Sequence, residues 1–204
     1  MGMKQFLILC LLISQTCFAQ ESILLIGNSE KLCYLEQFSI ANSEKLPDDL
    51  SIFKAIYIFS NSTSQLTKID IQRIISYVEN GGGLYTGSEN WPFQAESRQI
   101  TQELYKKENY GEYKISAAST SGQDGNLNLK TIAEIPAGES TVAFPLDHRL
   151  TVEAWIEDQP LILSGDYGKG RIIIDGGYSR FYCAHRTEIC DQLFERFKDY
   201  LTAE

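Results

Sequence analysis

The chain has 204 residues, 43% hydrophobic and 22% charged, with a formal net charge of -9. That length suits one domain with a substantial core. An acidic surface repels phosphate backbones and anionic lipid, which excludes nucleic acid and membrane surfaces as expected partners and otherwise serves solubility.

The first segment carries Lys4, then the apolar run Phe6–Ile13, then Ser14-Gln15-Thr16 and Cys17-Phe18-Ala19. This is the basic, apolar and small-residue order of a cleavable export signal. The run holds 8 residues, well short of the roughly 20 that span a bilayer as a helix. Cleavage is expected after Ala19. A lipid anchor on Cys17 is the rival reading, and Ser14 and Thr16 suit it poorly. Residues 1–19 are thus expected to be a signal peptide and residues 20–204 one exported domain, periplasmic or extracellular. Losing Lys4 moves its formal charge to -10, one unit below the value for the whole chain. No later apolar run is long enough to cross a membrane.

Ser22–Ile26 is a short apolar run closed by Gly27-Asn28, the pattern of a buried strand. A weakly periodic segment with Leu32, Leu35 and Phe38 follows, then a turn at Pro47–Leu50. Lys54–Ser60 reads as a second buried strand, ended by Asn61–Ser64. Thr67 and Asp70 have capping-box spacing, and Ile71, Ile74, Ile75 and Val78 fall on one helical face. Asn80–Gly83 stops that helix, and Leu84–Gly87 continues as a strand. Strand, helix, glycine stop and strand make a βαβ unit and imply a parallel sheet.

Residues 94–106 read as a helix, Ser119–Asn128 as a polar loop, and Leu127, Leu129 and Thr131 as an alternating edge strand. Thr141–Phe144 is a further strand. Pro160–Ser164 and Arg171–Asp175 flank a glycine-rich turn at 165–170. A final helix over about 187–201 buries Ile189, Leu193, Phe194 and Phe197. No internal repeat or linker divides the chain.

Of the cysteines in the exported part, Cys33, Cys183 and Cys190, two are expected to bridge in an oxidising compartment. Cys183 and Cys190 are the nearest pair. Seven helical steps span about 10.5 Å, more than the roughly 7 Å a disulfide tolerates. The pairing therefore requires Cys183 to fold back from the helix that holds Cys190.

Three motifs carry a resemblance. Tyr77–Leu84 is similar to the "YV-x-x-GG-x-L" join of class I glutamine amidotransferase-like domains, most clearly their ThuA-like and DUF4350-like branches. Asp147–Val152 is similar to the "hPLT" turn of those branches, and Tyr167–Ile174 to their "GkGrvvv" hairpin. The resemblance covers most of residues 21–200 and implies a flavodoxin-like three-layer α/β sandwich around a central, mostly parallel sheet.

Active members of that superfamily place a nucleophile in a strained G-x-C-x-G turn between strand and helix, served by a His-x-Glu after a late strand. Here Ser88 stands at the turn, with Thr86 and Asn90 where glycines flank the nucleophile. Gly176–Arg180 contains no His-x-Glu, and His185 and Glu188 have a different spacing. The resemblance implies the scaffold without its catalytic constellation. Ser88, Glu89 and His185 remain the candidates for hydrolysis of a sugar or amide. Asp147-His148 is expected to make turn hydrogen bonds rather than an acid–base pair. Cys183, His185 and Cys190 match no common zinc spacing. No metal or cofactor is expected.

Ligands of open parallel sheets bind beyond the strands' C-terminal ends. Asn28, Asn61, Ser88, Glu89, Asn90, Trp91, Tyr178 and Arg180 are expected to line that edge. Their amides, rings and charges suit a carbohydrate or another small polar ligand. The expected role is therefore a non-catalytic exported domain that binds such a ligand or a partner protein. The alternatives are a Ser/Glu/His hydrolase and a purely structural envelope component.

Overall fold

The computed structural model describes residues 22–27, 30–34, 39–42, 45–60, 65–90, 94–113, 117–119, 125–132 and 134–203. The expected signal peptide, residues 1–19, lies outside them. Among the described residues seven strands form one sheet: β1 (Ser22–Gly27), β2 (Ser39–Asn42), β3 (Ala55–Phe59), β4 (Gly83–Gly87), β9 (Thr151–Ile156), β10 (Gln159–Tyr167) and β11 (Gly170–Asp175). Their order is β2-β1-β3-β4-β11-β10-β9. The first five run parallel, and β10 and β9 are antiparallel additions at one edge. The α/β sandwich expected from the sequence is the fold observed.

Local chemistry accounts for these directions. β10 and β11 are joined across the two residues Gly168-Lys169, and β9 and β10 across Glu157-Asp158. Links that short permit only antiparallel pairing. Gly168 and Glu157 both take the left-handed conformation such turns favour, with φ of 63° and 53°. β3 and β4 instead pair in parallel, because a full helix, α1 (Lys68–Glu79), connects them. Thr67 caps it as expected: its hydroxyl accepts from the Asp70 amide, and the Asp70 carboxylate accepts from the Thr67 amide.

The strands alternate their side chains between two cores. On one face Leu24, Ile56, Ile58, Leu84 and Ile172 pack against Ile71, Ile74 and Val78 of α1 and Ile100 and Leu104 of α2 (Ala95–Tyr105). On the other, Ile23, Tyr57, Tyr85 and Ile173 meet Leu193, Phe194, Phe197 and Leu201 of α3 (Glu188–Thr202). Tyr57 stacks on Tyr85 with ring centroids 4.9 Å apart, and Phe194 stacks on Tyr34 at 4.3 Å. In α3 it is Cys190, not Ile189, that is fully buried.

Two small sheets lie outside the main one: β5 (Tyr110–Tyr113) with β8 (Thr141–Ala143), and β6 (Ala117–Ser119) with β7 (Glu134–Pro136).

The structure corrects two further expectations. Leu129–Thr131 forms a 3₁₀ turn rather than an edge strand. The amides of Asn126 and Leu127 donate to the buried carboxylate of Glu153, at 2.7 and 3.2 Å, so they do not serve a ladder. With Asn128 left-handed (φ 50°), Leu127 and Leu129 both turn into the core.

The disulfide joins Cys33 to Cys183, not Cys183 to Cys190. Leu32 and Tyr182 form an isolated antiparallel bridge, and the Cys183 amide donates to the Lys31 carbonyl at 2.9 Å. This contact brings the two cysteine Cα atoms to 4.6 Å. Cys190 faces the core from the first turn of α3, and its thiol lies 3.2 Å from the Thr187 hydroxyl.

Candidate functional site

The C-terminal ends of β3, β4 and β11 meet at one edge. The ladder continues past them: the Ser60 amide donates to the Gly87 carbonyl and the Ser88 amide to the Asp175 carbonyl. Three serines then tie α2 to that edge. The Ser88 and Ser97 hydroxyls are 2.5 Å apart, and the Ser97 amide donates to the Ser60 hydroxyl at 2.6 Å. The Gln94 side chain makes no cap bond to α2. Ser60 thus satisfies one of the orphan amides of that first turn from another element.

Ser88 is fully buried, and its hydroxyl faces Ser97 rather than an imidazole. His185 is on the exterior, where its Nε2 lies 3.3 Å from the Glu139 carboxylate. Asn90 adopts a left-handed φ of 56°. It stands where the superfamily's turn carries a glycine, and asparagine is among the few other residues that tolerate this conformation.

Glu89 is 4% exposed. Its Oε1 accepts from the Ser179 amide at 2.8 Å. Burial pushes its pKa up to about 8, against the hydrogen bond from Ser179 and the attraction of Arg180, which pull it down. Its cover is the segment between β7 and β8. A Cβ on Gly138 would stand 1.8 Å from Glu89 Oε1, so only glycine permits this approach. The Glu139 amide donates to the Ser179 hydroxyl, and Ser140 meets Asn90, which holds the cover down.

Beneath it, Arg180 and Asp175 form a fully buried ion pair with N···O distances of 3.2 and 3.3 Å. The Asp175 carboxylate also accepts from the Tyr85 hydroxyl and the Gly177 amide. A buried charge pair requires such added partners to offset its desolvation. The Asp175 carboxylate raises the Tyr85 hydroxyl further above its ordinary value, adding to the larger effect of burial. The Tyr178 hydroxyl donates to the Ser60 carbonyl at 2.9 Å.

The structure therefore brings together Ser88, Glu89, Asn90, Tyr178 and Arg180. His185 stays at the rim, where its ring meets Glu139, whose amide donates to the Ser179 hydroxyl. Asn28, Asn61 and Trp91 lie outside the described residues. Sequence reasoning missed Asp175, Ser97 and the Gly138 cover. An aspartate closing the run Ile172–Ile174 is a readable signal, but its partner five residues on is not.

The His148 Nδ1 lies 3.9 Å from the Asp147 carboxylate on an exposed ring, beyond hydrogen-bond reach, so the two do not form an acid–base pair. Asp147 accepts three hydrogen bonds from Arg149, which hold its carboxyl well below the usual range. Arg149 also donates to the carbonyls of Leu104 and Tyr105, so the turn caps the C-terminus of α2.

No family model matches the chain, and no curated protein sequence matches it. Solved structures do. Cytoplasmic protein STM3548 from Salmonella typhimurium is 11% identical with a TM-score of 0.68, over 89% of this chain and 98% of its own. A ThuA-like protein from Bacteroides uniformis is 12% identical with a TM-score of 0.61, over 91% and 92%. A β-galactosidase from Rahnella sp. R3 is 12% identical with a TM-score of 0.58, over 91% of this chain but 32% of its own. Identities this low establish likeness of fold alone.

Proposed function

We propose that this chain is an exported, non-catalytic, amidotransferase-like domain that works by binding a partner protein or a small polar ligand. The observation that carries the reading is the state of the reactive groups at the sheet's C-terminal edge. Ser88 is held by Ser97, Asp175 by Arg180 and Tyr85, and Glu89 by Ser179 beneath Gly138. Each is buried and engaged by its neighbours, and the Ser88 hydroxyl is bonded to Ser97 rather than to a general base. The Cys33–Cys183 bridge supports export, since disulfides persist in oxidising compartments.

The hydrolase reading has one observation in its favour. Glu89, with a pKa near 8, holds a proton at neutral pH as a general acid would. Turnover of nitrophenyl glycosides, esters and amides separates the two readings. We expect none above background. Turnover that disappears in Ser88→Ala or Glu89→Gln, with the circular dichroism unchanged, would replace binding with catalysis.

A further inference from the structure

The cover over Glu89 is the short segment 137–140, strung between β7 and β8. It consists of Ala137, Gly138, Glu139 and Ser140, so it carries no large apolar side chain. Polar contacts hold it in place. The Glu139 amide donates to the Ser179 hydroxyl at 2.5 Å. The Ser140 hydroxyl accepts from the Asn90 amide at 3.2 Å and lies 3.3 Å from the Asn90 side-chain oxygen. The Glu139 carboxylate meets His185 Nε2 at 3.3 Å. Water can replace each of these partners once the segment lifts.

The groups beneath are fixed more firmly. Arg180 and Asp175 are fully buried and paired with each other, and Asp175 also takes the Tyr85 hydroxyl and the Gly177 amide. Gly177 lies on Arg180 much as Gly138 lies on Glu89: a Cβ there would stand 2.5 Å from Nη2. Glu89 is therefore the buried acid that touches the cover directly.

The proton decides whether Glu89 can stay buried. A neutral carboxyl tolerates the site, whereas a carboxylate loses its hydration and needs a cation of its own. Arg180 attracts it, but that guanidinium already answers Asp175, whose charge repels Glu89. Tyr182 and the cover's own Glu139 share the surroundings. Burial and Tyr178 raise the Tyr182 hydroxyl, and the charges of Glu89 and Glu139 raise it further. Neither group supplies positive charge, and His185 stands outside against Glu139. Water reaches an ionised Glu89 at least cost if the cover lifts, since the only apolar side chain in it is Ala137. Local openings draw on segments with few buried apolar contacts.

We propose that residues 137–140 are a pH-dependent gate over the sheet's C-terminal edge, shut while Glu89 holds its proton and lifted when it ionises. The gate deepens the binding reading above by naming how access to that edge is regulated. Its sign follows from the carboxyl's two environments. Closure is strongest below the ordinary value of 4.5, weakens as pH climbs toward 8, and is level above that.

The test is amide hydrogen exchange from pH 5 to pH 7.5 in wild type and Glu89→Gln, which keeps His185 and Glu139. The wild-type to variant ratio of rates at the Glu139 amide cancels the intrinsic chemistry. That ratio should rise about tenfold per pH unit, and at least about thirtyfold over the whole range. Urea from 0 to 1 M, applied to wild type, separates the gate from global unfolding. Exchange at Glu139 should not respond, because the opening exposes little surface, whereas the buried Ile74 of α1 should exchange faster with urea. A ratio that stays flat with pH, or a Glu139 rate that follows Ile74 in urea, would overturn the proposal. Exchange reports opening whether or not a ligand binds and says nothing of turnover, so the gate can fail while the non-catalytic binding reading stands.

Discussion

Replacing Glu89 with glutamine should remove a pH dependence that the wild-type fold carries. In the unfolded chain this carboxyl ionises near its ordinary value of 4.5, and in the folded protein near 8, because it is buried under Gly138. Between those values the unfolded state binds fewer protons than the folded one. Stability therefore falls as pH rises, by about 1.4 kcal/mol per pH unit. The contribution is intact below pH 4.5, is lost progressively as pH climbs toward 8, and is level above it. At pH 7 the accumulated cost is about 3 kcal/mol. Glutamine keeps the acceptor for the Ser179 amide and stays neutral at every pH. Glu89→Gln should therefore match wild type near pH 4.5 and exceed it by about 3 kcal/mol at pH 7, or roughly 6–12 °C in Tm. Urea melts of both proteins at pH 4.5, 6, 7 and 8 measure this difference directly. Parallel profiles across that range would refute the reasoning, since they would mean that Glu89 ionises alike in both states.

Three further outcomes follow from the same geometry. Gly138→Ala should cost about 1–3 kcal/mol in denaturant melts, because its Cβ must displace the Glu89 carboxyl and the Ser179 hydroxyl. Glu153→Ala should cost about 2–4 kcal/mol and raise hydrogen exchange at Asn126 and Leu127, whose amides lose their acceptor along with the Ser164 hydroxyl. Peptide mapping without reduction should recover Cys33 linked to Cys183, with Cys190 as the free thiol. Removing the bridge, which closes a span of 150 residues, should cost about 2–5 kcal/mol. A recovered Cys183–Cys190 peptide would contradict the fold at that point.

Where pattern and local chemistry agree, the sequence already carries the structure. Ile71, Ile74, Ile75 and Val78 recur at helical spacing between a capping box and a glycine stop, and that helix forms at the expected place. Ile23–Ile26 and Ala55–Phe59 are apolar throughout because both faces of a central parallel strand are covered. β9 was not legible. Thr151–Ile156 places Glu153 inside its run, and the buried acid is satisfied by the amides of a distant turn and by the Ser164 hydroxyl of β10. The run of Leu127, Leu129 and Thr131 misleads for the same reason, since Glu153 captures the amides that a strand would have used.

Local pattern alone carries the βαβ unit, the glycine-rich hairpin turn at 165–170 and the expectation that Ser88, Glu89 and Arg180 stand near one sheet edge. Those features depend on side-chain period and on turn residues a few positions apart, so they are written locally. The tertiary structure alone decided which groups meet. It paired Cys33 with Cys183, turned Ser88 toward Ser97, left His185 outside with Glu139, and placed Gly138 over Glu89. Each of these joins residues from separate elements. Their distance, burial and charge state arise only when two cores close on opposite faces of one sheet.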